Sequence, residues 1–202
     1  RPLHYMQRFG YGGSIFPINP TRTEVQGIKS FAKLADTPVC PELAIIALPA
    51  TGALSAVQDC AARGVDVAVL LTSGFGETGE EGKALQSAIV SCARQAGMRL
   101  IGPNTQGIAN FGNGTIASFA TLFSEIAPHD GPVAIVSQSG AMSVVPYAHL
   151  RRAGIGVRYA HATGNEADIT VADLAACALD DPTIKLLLLY MENIEDATAL
   201  AD

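Results

Sequence analysis

No hydrophobic run in the 202-residue chain approaches the ~18 residues of a membrane span; each is short and bounded by Gly, Pro or charge. Basic charge is scarce too. Thirteen Lys and Arg face nineteen Asp and Glu, a net charge of −6, and only Arg151 and Arg152 are adjacent. A nucleic-acid groove needs clustered cations to displace counterions, so nucleic acid is excluded as a partner. The four cysteines, at 40, 60, 92 and 177, form no C-x-x-C and do not cluster with the four histidines. They read as buried thiols of a reducing compartment, the cytoplasm, with neither a disulfide frame nor a metal site. Nothing at the start of the sequence resembles a signal peptide. The first residue, Arg1, already reads as part of a folded element, so the expectation is a segment of a longer protein.

What is present is core material. Hydrophobic residues make up 49% and charged residues 16% of the chain, enough for one large or two small domains and too apolar for disorder. Runs such as LAIIAL, VAVLLT, VAIVS and IKLLLLY are apolar on both parities. That is the pattern of strands covered on both faces of a parallel sheet. Strands are predicted at 14–17, 43–48, 67–71, 99–101, 133–136, 156–161 and 184–190, and helices at 24–34, 52–63, 80–96, 141–153 and 170–178. Their alternation implies an open α/β fold with right-handed crossovers. The rhythm breaks at 115–131, where a Pro-His-Asp-Gly turn precedes a new strand. A boundary there divides the chain into units 1–129 and 130–202. Pro146 lies about two turns into the helix after Ser139, so that helix must kink or begin later.

In open parallel sheets ligands bind beyond the carboxyl ends of the strands. The corresponding loops, at 17–21, 49–52, 72–79, 102–107, 137–141, 163–168 and 191–194, are rich in Gly, Asn, Ser and Pro. Their backbone N–H groups suit an anion such as a phosphate, although the same residues also simply make turns. Residues 74–79, Gly-Phe-Gly-Glu-Thr-Gly, match G-x-G-x-x-G, but no acidic residue follows within 94–104 to bind a ribose, and Glu77, Glu80 and Glu81 would oppose a pyrophosphate. Ser137-Gln138-Ser139-Gly140 opens a helix after a strand, either as an anion cradle or as an N-cap. It lacks the first glycine of a nucleophile elbow. Glu192, just past the last apolar strand, either handles a proton or imidazole, or is one of a helix-terminal acidic group with Glu195 and Asp196.

Taken in order, IFPINPT…EVQGIKSF, ELAIIALPA, SGFGETGEEG, RLIGPNTQGIAN, PVAIVSQSGAM, TGNEADITVADL and LLLYMENIED resemble the NDP-forming acyl-CoA synthetases, relatives of the succinyl-CoA synthetase α-subunit. The resemblance covers nearly the whole chain. It implies a Rossmann-like CoA-binding domain lacking its first strand, then a flavodoxin-like ligase domain, both with mainly parallel sheets. It implies formation of acyl-CoA from a carboxylic acid, CoA and a nucleoside triphosphate through acyl-phosphate and phosphohistidine intermediates. By position, Pro17, Asn19, Pro20, Pro49, Ala50, Ser73, Gly74 and Glu77 would bind CoA. Pro103, Asn104 and the Ser137, Gln138, Ser139, Gly140 turn would face the acyl group, with Gly164, Asn165 and Glu166 near the phosphorylated histidine. Glu192 would steady that histidine. No histidine of this chain stands in the expected Gly/Thr-rich motif, and ATP and Mg2+ would be held by an ATP-grasp domain or subunit outside it, so the segment alone is expected to be inactive. An oligomer is compatible with the resemblance. Thr105-Gln106 replaces the Cys-Pro of succinyl-CoA synthetase, which implies a different acyl pocket. Two other readings stay open: a CoA-binding regulatory module of a lysine acetyltransferase, and an NAD-linked oxidoreductase.

Overall fold

The computed structural model describes residues 1–194. Chain order is α1 (Pro2–Arg8), β1 (Glu24–Val25), β2 (Ile28–Lys29), β3 (Leu43–Ile46), α2 (Ala50–Arg63), β4 (Val67–Leu70), α3 (Glu80–Gln95), β5 (Arg99–Ile101), β6 (Gly107–Asn110), β7 (Thr115–Ser118), α4 (Leu122–Glu125), β8 (Val133–Ser137), α5 (Gly140–Arg152), β9 (Tyr159–Ala162), α6 (Val171–Leu179) and β10 (Leu186–Tyr190). Two sheets carry the fold. The first, ordered β3-β4-β5, is wholly parallel. Its core joins Ile46, Leu70 and Leu100 to Ala53 and Val57 of α2 and Ile89 and Ala93 of α3. These strands are apolar on both parities because β4 is buried on both faces; Ala68 and Val69 are both fully inaccessible.

The second sheet has the order β10-β8-β9-β6-β7. Strands β10, β8 and β9 are parallel, whereas β6 pairs antiparallel with both β9 and β7. The sheet is therefore mixed rather than mainly parallel, and it draws strands from both sides of residue 130. Its core is aromatic: Tyr147 of α5 and Phe123 of α4 meet edge to face at 5.0 Å, and Phe111 meets Phe123 at 5.1 Å. Tyr5 of α1 is buried beside them and donates its hydroxyl to the carbonyl of Ala120 at 2.7 Å.

Four local expectations need correction. Residues 24–34 form no helix. Gln26 and Gly27 both take positive φ, 51° and 81°, and turn β1 onto β2 as a two-residue hairpin. Residues 14–17 form no strand, and only a single bridge joins Ile18 to Phe31. The stretch that loses the βα rhythm includes β7, the partner of β6 in a hairpin. Finally, of the two outcomes expected at Pro146, the later start does not occur, because α5 already runs from Gly140. Among the described residues no helix is long and apolar enough to cross a membrane.

Candidate active-site cleft

The carboxyl ends of β4, β5, β8, β9 and β10 open onto one cleft of about 630 Å³ between the two sheets. It is lined by Ser73, Asn104, Gln138 to Gly140, Gly164 to Glu166 and Glu192, which are sequence-predicted site residues, together with Leu71, Thr105, Gln106, Phe119, Ala141 and Asn193. Asn104, Ser139 and Glu192 thus share one hollow.

The rim is built by loops that clamp one another. The β5 turn bonds to the β4 loop through the Asn104 N–H and the Thr72 carbonyl, 2.8 Å. It meets the loop after β9 through the Asn165 N–H on the Pro103 carbonyl, 2.9 Å, and the Ala167 N–H on the Gly102 carbonyl, 3.1 Å. Gly164 makes this approach possible: its φ is +67°, and a Cβ there would lie 2.4 Å from the Pro103 carbonyl oxygen. The Asn165 side chain accepts from Asn104 Nδ2 at 3.1 Å and donates to Glu77 and Gln86. One carboxamide joins three loops of the two sheets.

Glu77 explains why the G-x-G-x-x-G stretch is no phosphate cradle here. Its own carboxylate accepts the N–H groups of Gly74 and Phe75, the amides that a pyrophosphate would need. Burial works against its charge, but the Gly74 amide and the Asn165 side chain outweigh it and hold Glu77 below the usual carboxylate range.

On the opposite wall Ser139 caps α5, its hydroxyl accepting from the Met142 N–H at 3.4 Å. The amides of Gly140 and Ala141 have no protein acceptor among the described residues and stand at the positive end of the helix dipole. An N-cap and an anion-facing turn coexist there. Ser137 is fully buried and donates its hydroxyl to the Ser139 carbonyl at 2.7 Å, so it supports the turn and does not line the cleft. Glu192 is exposed at the mouth. Glu195 and Asp196, the other members of the acidic group, lie outside the described residues.

The remaining predicted CoA residues lie away from the cleft lining. Pro49 precedes α2 and Ala50 begins it, beside Gly74, where an added Cβ would meet the Ala50 Cβ at 3.1 Å. Asn19 uses its side-chain oxygen on the amides of Thr21 and Arg22 and the Thr21 hydroxyl, between Pro17 and Pro20. A second hollow of about 290 Å³, bounded by Arg1, Pro2, Ala47 and Thr72, shares Leu71 and Phe119 with the main cleft. Ala141 and Asn193 directly adjoin predicted residues, whereas Phe119 lies in the stretch without rhythm, where the sequence carries no signal for it.

A family described as CoA binding domain matches residues 1–110, and one described as succinyl-CoA ligase like flavodoxin domain matches residues 130–202. The α-subunit of an ADP-forming acetate–CoA ligase II from Pyrococcus furiosus is 37% identical over 185 residues, 92% of this chain and 39% of that protein. A dinucleotide-forming acetyl-coenzyme A synthetase 1 from Ca. Korarchaeum cryptofilum, solved with phosphate and ADP, superposes with a TM-score of 0.89 at 32% identity, over 96% of this chain and 41% of that one. A Pyrococcus horikoshii structure gives 0.89 at 33% identity over 98% and 44%. The chain spans about two fifths of the length of these relatives. With both halves matched in order, the chain belongs to the NDP-forming acyl-CoA synthetase family, as a CoA-binding domain followed by a succinyl-CoA-ligase-like flavodoxin domain.

Proposed function

We propose that the chain is the CoA-binding and acyl-transfer part of an acid–thiol ligase that makes acyl-CoA from a carboxylic acid, CoA and ATP, releasing ADP and phosphate. The observation that carries this reading is the convergence of Asn104, Ser139 and Glu192 on one cleft between the sheets. The free amides of Gly140 and Ala141 supply donors for the oxygens of an acyl phosphate, and the α5 dipole favours their charge. Asn104 forms the facing wall with Gly164, Asn165 and Glu166, and Pro103, which is buried and does not line the cleft, backs it. CoA, when bound, supplies the thiol that accepts the acyl group. Pro17, Asn19, Pro20, Pro49, Ala50, Ser73, Gly74 and Glu77 would flank it, and the smaller hollow that shares Leu71 and Phe119 with the cleft suits its narrow arm. Glu192 holds the imidazole of a histidine brought to the cleft mouth, which carries phosphate between ATP and the acid.

In this reading units 1–129 and 130–202 are the two functional domains. An ATP-grasp domain or subunit holds ATP and Mg2+. Only Cys60 is buried as expected, and Cys40 and Cys177 are exposed; the four free thiols fit the cytoplasm.

Full-length protein incubated with γ-labelled ATP and Mg2+ should acquire an acid-labile phosphohistidine. Glu192→Gln should slow its formation at least tenfold while CoA affinity stays within about twofold, as for a group acting on one step only. An absent or acid-stable label would overturn the ligase reading, and unchanged labelling of the variant would reduce Glu192 to a surface charge.

A further inference from the structure

Glu192 lies two residues beyond the end of β10, where the ladder with β8 has closed at Tyr190 opposite Ser137. No regular pairing fixes its backbone. One side chain takes over the work. Gln138 donates its main-chain N–H to the Tyr190 carbonyl at 3.0 Å, adding one rung to the ladder. Its side chain then behaves as a further peptide unit. Oε1 accepts the N–H of Glu192 and the N–H of Asn193, the second at 3.0 Å, while Nε2 donates to the Asn193 carbonyl at 2.7 Å.

The second Nε2 hydrogen goes to Glu166 Oε2 at 2.7 Å. Glu166 is itself anchored: its other oxygen accepts from the Thr163 hydroxyl and from the Val171 N–H at the start of α6, both at 2.7 Å. A carboxamide has two lone-pair positions and two donor hydrogens, and all four are used here. The orientation is also unique. A flipped amide would set its hydrogens against two N–H groups and its oxygen against a carboxylate and a carbonyl.

We infer that Gln138 is the positioning residue for Glu192: it extends the β8–β10 ladder with its side chain and ties the glutamate's backbone to the Glu166 anchor in the loop after β9. The inference rests on the role proposed for Glu192. It assigns Gln138 no contact with the acyl group, although the residue borders the cleft. Only an amide of this length meets the requirement. Leucine would leave two amides and a carboxylate oxygen without their partner, and glutamate would set a second carboxylate against Glu166 and the Asn193 carbonyl.

The test uses the full-length protein and compares Gln138→Leu, Gln138→Glu and Glu192→Gln. Three quantities are followed: the single-turnover rate of histidine phosphorylation from γ-labelled ATP, the Kd for CoA, and the melting temperature. Both Gln138 variants should slow phosphorylation roughly tenfold or more, the usual effect of losing a group that orients a functional one. CoA affinity should stay within about twofold of the parent and the melting temperature within a few degrees. Phosphorylation at the parental rate in a folded Gln138 variant, with Glu192→Gln impaired, would overturn the positioning role and leave the Glu192 reading intact. Unimpaired Glu192→Gln would overturn the reading beneath it. If labelling, CoA affinity and melting fall together in both Gln138 variants, the residue is a general support and the inference fails. Should one variant not fold, the other decides.

Discussion

Asp168 is the residue on which the two sheets are most plainly fastened. Its side chain is 1% exposed, yet it carries three charge-assisted contacts: Arg94 Nε at 2.9 Å, Arg99 Nε at 2.9 Å and the Leu100 N–H at 2.8 Å. Burial alone would raise its pKa, but these donors, Arg99 foremost, hold it below the ordinary value. A carboxyl whose pKa is depressed by folding contributes stability above its unfolded pKa and loses it as pH falls through the folded one. Asp168→Asn should therefore cost about 2–3 kcal/mol near neutrality, less than a fully buried pair because both arginines are half exposed. Its stability should also fall less steeply than the parent's below about pH 4. Urea midpoints at pH 7 and pH 3.5 measure both effects, and equal losses at the two pH values would contradict the assignment. At this scale the sequence was partly legible. Asn104, Ser139 and Glu192 stand out because each follows an apolar strand, whereas Phe119 follows a hairpin with no apolar run, which joins the sheet only where β6 pairs with the distant β9.

Among elements, parallel strands announced themselves and antiparallel ones did not. Strands β4 and β8 are buried apolar runs, β3 is a half-buried one and β10 an apolar one exposed at Leu186, Leu189 and Tyr190, and all four lie within a residue of the ranges expected. Residues 24–34 carry apolar positions at a spacing that suits a helix, but the Gln26-Gly27 turn and the β-branched Val25 and Ile28 make a hairpin the better local solution. Strands β6 and β7 are short and small-residued, so only the pairing of β6 with β9 and of β7 with β6 reveals them. The junction of the β5 turn and the β9 loop gives a sharper test. Gly164→Ala must both hold a positive φ and push the Pro103 carbonyl away. It should destabilise the protein by about 2–3 kcal/mol, combining left-handed strain with a forced shift of the packed turn. It should also weaken CoA-dependent acyl transfer at the full-length level. A variant with parental melting and activity would show that the two loops are not tightly coupled.

At the level of the molecule, the fold is less divisible than its linear order suggests. The β6–β7 hairpin precedes residue 130, yet it completes the sheet of the segment that follows, and α1 buries Tyr5 against Phe123 from the far N-terminal end. Unfolding should consequently be a single transition, with far-UV and near-UV circular dichroism tracing the same urea curve. Two resolved transitions would mean that the sheets are independent bodies.

The carboxamide of Asn165 has a consequence for how the cleft trades with solvent. Spreading the sheets apart must first break its bonds to Asn104, Glu77 and Gln86. At about 1 kcal/mol each, that is about 3 kcal/mol. A gaping form would then be populated at less than about one molecule in a hundred. Guests would enter through the standing mouth, and replacing this single side chain would ease the parting at the rim while the Asp168 contacts still hold the sheets below it.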